Sequence, residues 1–225
     1  MLRAVVFDFD GVLANSEPLH YQAYRDVLAR EAIALTEADY YGRYLGYDDA
    51  GAFKMIARDR GRDWSDAHVA SLIAIKAQQM ETLERTHSVL FPGAAAIVRR
   101  VAAELPIAVA SGALRAEILR VLDREALTAC FTAIVAAEDT PASKPAPDPY
   151  LRALALLAAR AGALPAHEVV AIEDSRWGLE SARRAGLRTV GVAQTYPAAA
   201  LDAADLVIAS VADISLESLR SLCSE

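Results

Sequence analysis

Two aspartates one residue apart, Asp8 and Asp10, close an apolar run in the segment VVFDFDG (residues 5–11). Burying a carboxylate without a partner costs several kcal/mol, so a pair at the end of a buried run calls for a cation or for chemistry. Three further groups stand out along the chain: Ser111-Gly112, Lys144 in SKPAPDP, and Glu173-Asp174. Four carboxylates, one ammonium and one hydroxyl are the donor set of a hard-cation site beside an anion site. Oxygen ligands suit Mg2+, and a lysine with a hydroxyl can hold a phosphate. Singly, each has an ordinary explanation. An Asp after a strand is commonly a turn or a helix cap, Ser-Gly is a turn dipeptide, Lys144 is a surface lysine, and Glu173-Asp174 caps a helix beginning near Ser175. Joint placement is what lifts them above these explanations.

That placement comes from the elements around them. Residues 3–8, 106–111, 131–137, 168–174, 188–193 and 205–210 are short runs rich in Val, Ile and Ala. Most are apolar on both faces, as parallel strands covered above and below should be. Helical patterns over 93–104, 114–125, 148–161 and 176–185 alternate with them, and Gly186 sits where a left-handed cap would end the last one. The alternation predicts an α/β fold, a doubly wound parallel sheet with a Rossmann-like core. Ligands of such sheets bind outside the carboxyl ends of the strands, which is where Asp8, Asp10, Ser111, Lys144, Glu173 and Asp174 fall.

Between Gly11 and Pro92 the alternation stops. Only helical patterns appear, over roughly 17–31, 37–44, 49–60 and 65–86, with Ser16 as an expected N-cap and Pro18 in a first turn that tolerates it. This predicts an inserted α-helical cap domain at 15–89 and an α/β core made of 1–14 and 90–225, joined near 13–17 and 88–92.

Composition narrows the function. With 54% apolar residues the 225-residue chain can build a sizeable core, and a formal net charge of -7 argues against nucleic acid or an anionic membrane as a partner. A local cation or metal can still reverse the field in one cleft and admit an anionic small molecule. Cys130 and Cys223 have no metal-binding or redox spacing and read as reduced thiols of a cytoplasmic protein. No apolar segment approaches the ~20 residues of a membrane helix, and Asp8 interrupts the N-terminal run before it could act as a signal peptide.

The segments DFDGVLANSEPLHYQAY, ASGALRAEI, SKPAPDPYL and IEDSRWGLESARRAG together resemble the haloacid dehalogenase-like hydrolase superfamily. The likeness is to its helical-cap phosphatase branch, the β-phosphoglucomutase and phosphoglycolate phosphatase relatives, and it runs over essentially the whole chain. It implies that Asp8 is the nucleophile, becoming an aspartyl phosphate, and that Asp10 is the general acid and then the general base. It implies Mg2+ as cofactor, held by Asp8, Asp174, the backbone carbonyl of Asp10 and, directly or through water, Glu173. Lys144 would neutralise the phosphate and restrain the nucleophile. Ser111, with Gly112, would donate to a phosphate oxygen. Dehalogenases of the superfamily lack the second aspartate, so Asp10 favours phosphoryl transfer.

In the cap, His20 matches a histidine near the active site of β-phosphoglucomutase-like relatives, and contact with substrate or a hinge role stands against an exposed helix histidine. Mutases carry a lysine before, and an arginine soon after, the glycine corresponding to Gly46. Here Leu45 and Asp49 occupy those places, with Arg43 as a displaced substitute. The expectation is therefore a phosphatase of a small phosphorylated metabolite, a sugar phosphate or a phosphoglycolate-like acid. A phosphosugar mutase is the second reading and a non-catalytic phosphate-ligand-binding protein a remote third. Tyr40, Tyr41, Tyr44 and Tyr47 are either a wall for a sugar or cap core. A monomer is expected.

Overall fold

The apolar runs become six strands, β1 (Ala4–Phe7), β2 (Ile107–Ala110), β3 (Ala133–Val135), β4 (Val169–Glu173), β5 (Arg188–Val192) and β6 (Leu206–Ile208), in a computed structural model of the chain. It describes every residue except Gly46, Asp48, His87 and Glu225, and only the backbone of Glu84 and Thr86. The strands form one parallel sheet in the order β3-β2-β1-β4-β5-β6. Every residue of β1, β2 and β4 is buried, which is why those runs carry no polar alternation.

Helices Ala94–Ala102, Arg115–Arg124, Asp148–Ala161 and Arg176–Arg184 connect the strands. A further helix, Leu216–Leu222, has no counterpart in the sequence reading. Tyr150, Ala153 and Leu157 of the helix Asp148–Ala161 join a core with Ala4 and Val6 of β1, Ala108 and Ala110 of β2, and Val169 and Ala171 of β4. The spacing of two along each strand is the pleat, and the three-to-four spacing is the helix. Gly186 follows the helix Arg176–Arg184 at φ 84°, the left-handed position expected of it.

Each strand is shorter than its apolar run. The ladder ends where its partner ends: β3 and β6 each pair over three residues. The correction matters for chemistry, because Asp8, Ser111 and Asp174 lie just past the strand ends, released from the ladder, while Glu173 is the last residue of β4.

The chain divides into two units, Met1–Asn15 with Val89–Glu225, and Ser16–Ser88. The two chain crossings pair with each other: Ala14 and Leu90 form an antiparallel bridge, and the Phe91 N–H donates to the Leu13 carbonyl at 2.9 Å. The second unit holds helices Glu17–Arg30, Asp49–Asp59 and Asp66–Thr86. Tyr24, Leu28, Phe53, Ile56 and Leu72 are among its core residues.

Two expectations for this unit are corrected. The helix over 37–44 is instead a short helix Glu37–Asp39 running into a π-helical turn, Tyr40–Tyr44. The wider turn accompanies two buried phenols with fixed partners, Tyr40 OH donating to Glu17 Oε2 at 2.7 Å and Tyr44 OH to Asp59 Oδ2 at 2.8 Å. Ser16 holds the N-cap position of Glu17–Arg30 but has helical backbone angles, φ −79° and ψ −19°, and makes no side-chain cap bond. A capping serine needs an extended backbone to turn its oxygen onto the first N–H groups. Among the described residues no helix is long and apolar enough to cross a membrane. Cys130 and Cys223 are free.

Candidate active site

The sheet order reverses between β1 and β4, since β1 connects toward β2 on one side and β4 begins the other wing. Open α/β sheets bind ligands at such a switch point. Phe7 pairs with Ile172 in register, and the Asp8 N–H donates to the Ile172 carbonyl at 2.9 Å, so Asp8 emerges beside Glu173. Asp8, Glu173 and Asp174 are all buried, and each offers a carboxylate oxygen within 4.8 Å of the others.

Lys144 enters this cluster from the loop after β3. Its Nζ lies 2.9 Å from Asp8 Oδ1 and 2.6 Å from Glu173 Oε1. The loop is tied to the helix Arg176–Arg184 by Ser181 Oγ, which donates to the Ala146 carbonyl at 2.5 Å. The Lys144–Pro145 peptide bond is cis. Ser111 is buried at the end of β2, one strand along the same edge. Its Oγ accepts from the Ala113 N–H at 3.1 Å, and Gly112 beside it is exposed. Asp10 is half-buried in a tight turn where its backbone bridges to Ala14 and the Gly11 N–H donates to the Ala14 carbonyl.

The charges do not balance. Burial, and then the Glu173 charge, push the Asp8 carboxyl well above the usual range, with Lys144 pulling the other way and Asp174 adding to the rise. Burial and Glu173 also raise Asp174, to about 7, against a hydrogen bond from Thr195. Burial works against the Lys144 ammonium, but Asp8 and Glu173 together outweigh it and hold its pKa above the ordinary value. Three buried carboxylates face one ammonium, all donors are oxygen, and a divalent cation would supply the missing positive charge. The residues fit such an ion.

Four residues here escaped the sequence reading. Tyr150 OH donates to Glu173 Oε1 at 2.7 Å. A β-carbon at Gly178 would come within 1.9 Å of the Glu173 carboxylate, so only glycine lets that side chain tuck against the helix. Thr195 bonds Asp174. Gln194 donates to the Gly11 and Val12 carbonyls at 3.2 and 3.3 Å and accepts from the Val211 N–H at 2.8 Å, clamping the turn after Asp10. The signal for Gln194 and Thr195 was their place just past β5, at the same sheet edge. For Gly178 it was a glycine inside a helix, where it costs about 1 kcal/mol relative to Ala.

The cap residues sit in the second unit. His20 is not an exposed histidine: its Nδ1 lies 3.0 Å from Lys76 Nζ, and Lys76 is buried and ion-paired with Asp49. Tyr24 OH also donates to Asp49, at 2.7 Å. Arg43 pairs with Asp59 at 2.5 Å. Gly46 lies outside the described residues. Tyr40 and Tyr44 are cap core, whereas Tyr41 and Tyr47 are exposed. His167 is exposed and His68 is half-buried, with Nε2 3.4 Å from Glu31.

A family model described as haloacid dehalogenase-like hydrolase matches residues 5–192, from the first strand to the end of β5. The chain belongs to that family. Among relatives of this haloacid dehalogenase-like hydrolase is Protein CbbY of Rhodobacter capsulatus, 35% identical with 87% of each chain covered. A β-phosphoglucomutase of Bacillus subtilis is 29% identical over 97% of this chain and 94% of its own. The fructose-1-phosphate phosphatase YqaB of Escherichia coli is 30% identical over 84% and 95%. The crystal structure of CbbY from Rhodobacter sphaeroides, in complex with phosphate, superposes with a TM-score of 0.80 at 25% identity, covering 98% of this chain and 100% of that one. Overall identity to a mutase and to a phosphatase is equal within a percentage point, so the choice between them rests on individual residues.

Proposed function

We propose that this hydrolase is a Mg2+-dependent phosphoric monoester hydrolase acting on a small phosphorylated metabolite, a sugar phosphate or a phosphoglycolate-like acid. The observation that carries this reading is the meeting of Asp8, Lys144, Glu173 and Asp174 at the switch point. Asp8 attacks the substrate phosphorus and the ester P–O bond breaks. Asp10 gives its proton to the departing alkoxide, then takes one from the water that attacks the aspartyl phosphate, releasing phosphate and restoring Asp8. Lys144 holds Asp8 in line and offsets charge on the phosphoryl oxygens. Ser111 and Gly112 offer donors to those oxygens. Asp8, Asp174, the Asp10 carbonyl and, directly or through water, Glu173 would hold Mg2+, which supplies charge neutralisation for the transferred group.

Phosphatase is favoured over mutase by the cap. A second phosphate is gripped best by a free arginine or lysine. Leu45 and Asp49 supply none, Asp49 engages Lys76, and Asp59 engages Arg43. Retention of every acidic and basic residue that the chemistry needs speaks against a non-catalytic binder.

Phosphate release from p-nitrophenyl phosphate with Mg2+, abolished by chelator, is the expected result; binding without release would support the binder. With β-glucose 1-phosphate and catalytic glucose 1,6-bisphosphate, free phosphate marks a phosphatase and glucose 6-phosphate a mutase.

A further inference from the structure

Glu173 is completely buried, and both oxygens of its carboxylate have partners. Oε1 accepts from Tyr150 OH at 2.7 Å and meets Lys144 Nζ at 2.6 Å. Oε2 accepts from the Asp174 N–H at 3.2 Å, the Ser175 N–H at 3.4 Å and Ser175 Oγ at 3.3 Å. Of these donors only the Tyr150 hydroxyl comes from a different element of the sheet's covering layer without being charged or part of the strand-to-helix turn. Tyr150 is itself fully buried and sits in the first turn of the helix Asp148–Ala161, immediately after the loop that delivers Lys144. Its ring also lies under the ammonium, 5.3 Å from Nζ to the ring centre. The phenol is therefore shared between the lysine and the carboxylate that the lysine bridges.

The hydroxyl is not needed for packing. Ala153 and Leu157 continue the same buried stripe as purely apolar side chains, and a phenylalanine ring would fill the place. A buried hydroxyl is retained without cost only if it has a partner, and the partner here is an oxygen of the acidic cluster. Without that donor, Oε1 would be left with Lys144 alone, and the ammonium would be drawn toward Glu173 and away from Asp8.

We propose that Tyr150 is a positioning residue of the phosphoryl-transfer site: its hydroxyl fixes Glu173 Oε1, and through it the place of Lys144 against Asp8 and the arrangement of the carboxylates toward the cation. This rests on the reading of Asp8 as nucleophile given above. Groups that orient a metal-binding carboxylate typically matter about 10–100-fold in affinity or rate.

The test is Tyr150→Phe, which removes one oxygen and keeps the ring. Calorimetric titration of the substrate-free protein with Mg2+ should show binding about tenfold weaker than wild type. With saturating metal, kcat should fall about tenfold with KM within about twofold, and the thermal midpoint should stay close to wild type. In a Glu173→Gln background the same substitution should add little, because its effect runs through Glu173. Unchanged Mg2+ affinity and kcat in Tyr150→Phe would overturn the proposal while leaving the phosphatase reading intact. Equal loss in both backgrounds would overturn it too, by showing that the hydroxyl acts elsewhere. Should the wild type prove inactive on every ester, the calorimetric comparison still decides the role of Tyr150.

Discussion

A β-carbon placed on Gly11 would sit 1.9 Å from Asp174 Oδ2. Gly11 also has φ +78°, so two independent constraints meet at the residue after Asp10. The turn that carries Asp10 passes directly against the Asp174 carboxylate just past β4, and only a bare backbone fits between them.

Gly11→Ala should therefore be damaging twice over. The left-handed backbone alone costs an L-residue about 1–2 kcal/mol, and the contact with Asp174 forces that carboxylate or the turn to move. The thermal midpoint should drop by about 4 °C or more, and hydrolysis should be nearly lost. Differential scanning calorimetry beside a phosphate-release assay would check both; a variant as active as wild type would show that the turn does not position Asp10.

Removal of divalent metal supplies a second prediction. Three buried carboxylates against one ammonium leave negative charge that a bound cation would offset. Mg2+ at a hundredfold excess over its Kd adds about 2.7 kcal/mol to the folded state, a rise of about 5 °C or more in melting temperature. Chelator should reverse that rise and abolish turnover together, and Asp174→Asn should blunt both. A melting temperature indifferent to Mg2+ would mean the cluster holds no ion.

A third prediction concerns the pH dependence of the helical unit's stability. Burial, and then the Lys76 charge, lower the His20 imidazole from 6.5 to about 4, with Asp49 acting in the opposite sense. Asp49 itself is held low by Lys76 against the effect of burial, and stays ionised in this range. Glu17, raised by burial, faces the same lysine. His20 is thus neutral when folded, and the unfolded chain binds more protons between those two values. Its contribution is full above about 6.5 and is lost as pH falls toward about 4. Thermal midpoints across that window should fall more steeply for wild type than for His20→Gln. Parallel curves would show that His20 does not feel its neighbours.

The sheet and the acidic edge were legible because both follow from strong, local signals. Apolar runs that for the most part lack polar alternation have few fates other than parallel strands covered on both faces, and the strand ends point to the place where Asp8, Glu173 and Asp174 gather. The limits of the reading were equally physical. Tyr150 falls on the buried stripe of its helix, so periodicity marks it as core and says nothing of the carboxylate at the end of β4 that its hydroxyl reaches. Lys76 looks like one more surface lysine of a long helix; its burial depends on Asp49 and His20, which are distant in sequence. The π-helical turn at Tyr40–Tyr44 arose where an ordinary helical pattern was expected, with its phenols bonded to Glu17 and Asp59, partners no propensity encodes.

Transfer of the phosphoryl group to Asp8 is the step on which the mechanism stands. Acid quenching of the protein during turnover of a labelled phosphate ester, followed by mass spectrometry of the peptide containing Asp8, tests it most directly. An acyl phosphate on Asp8, absent from Asp8→Asn and from chelator-treated protein, is the predicted result. Steady hydrolysis with no phosphorylated Asp8 at any quench time would contradict it.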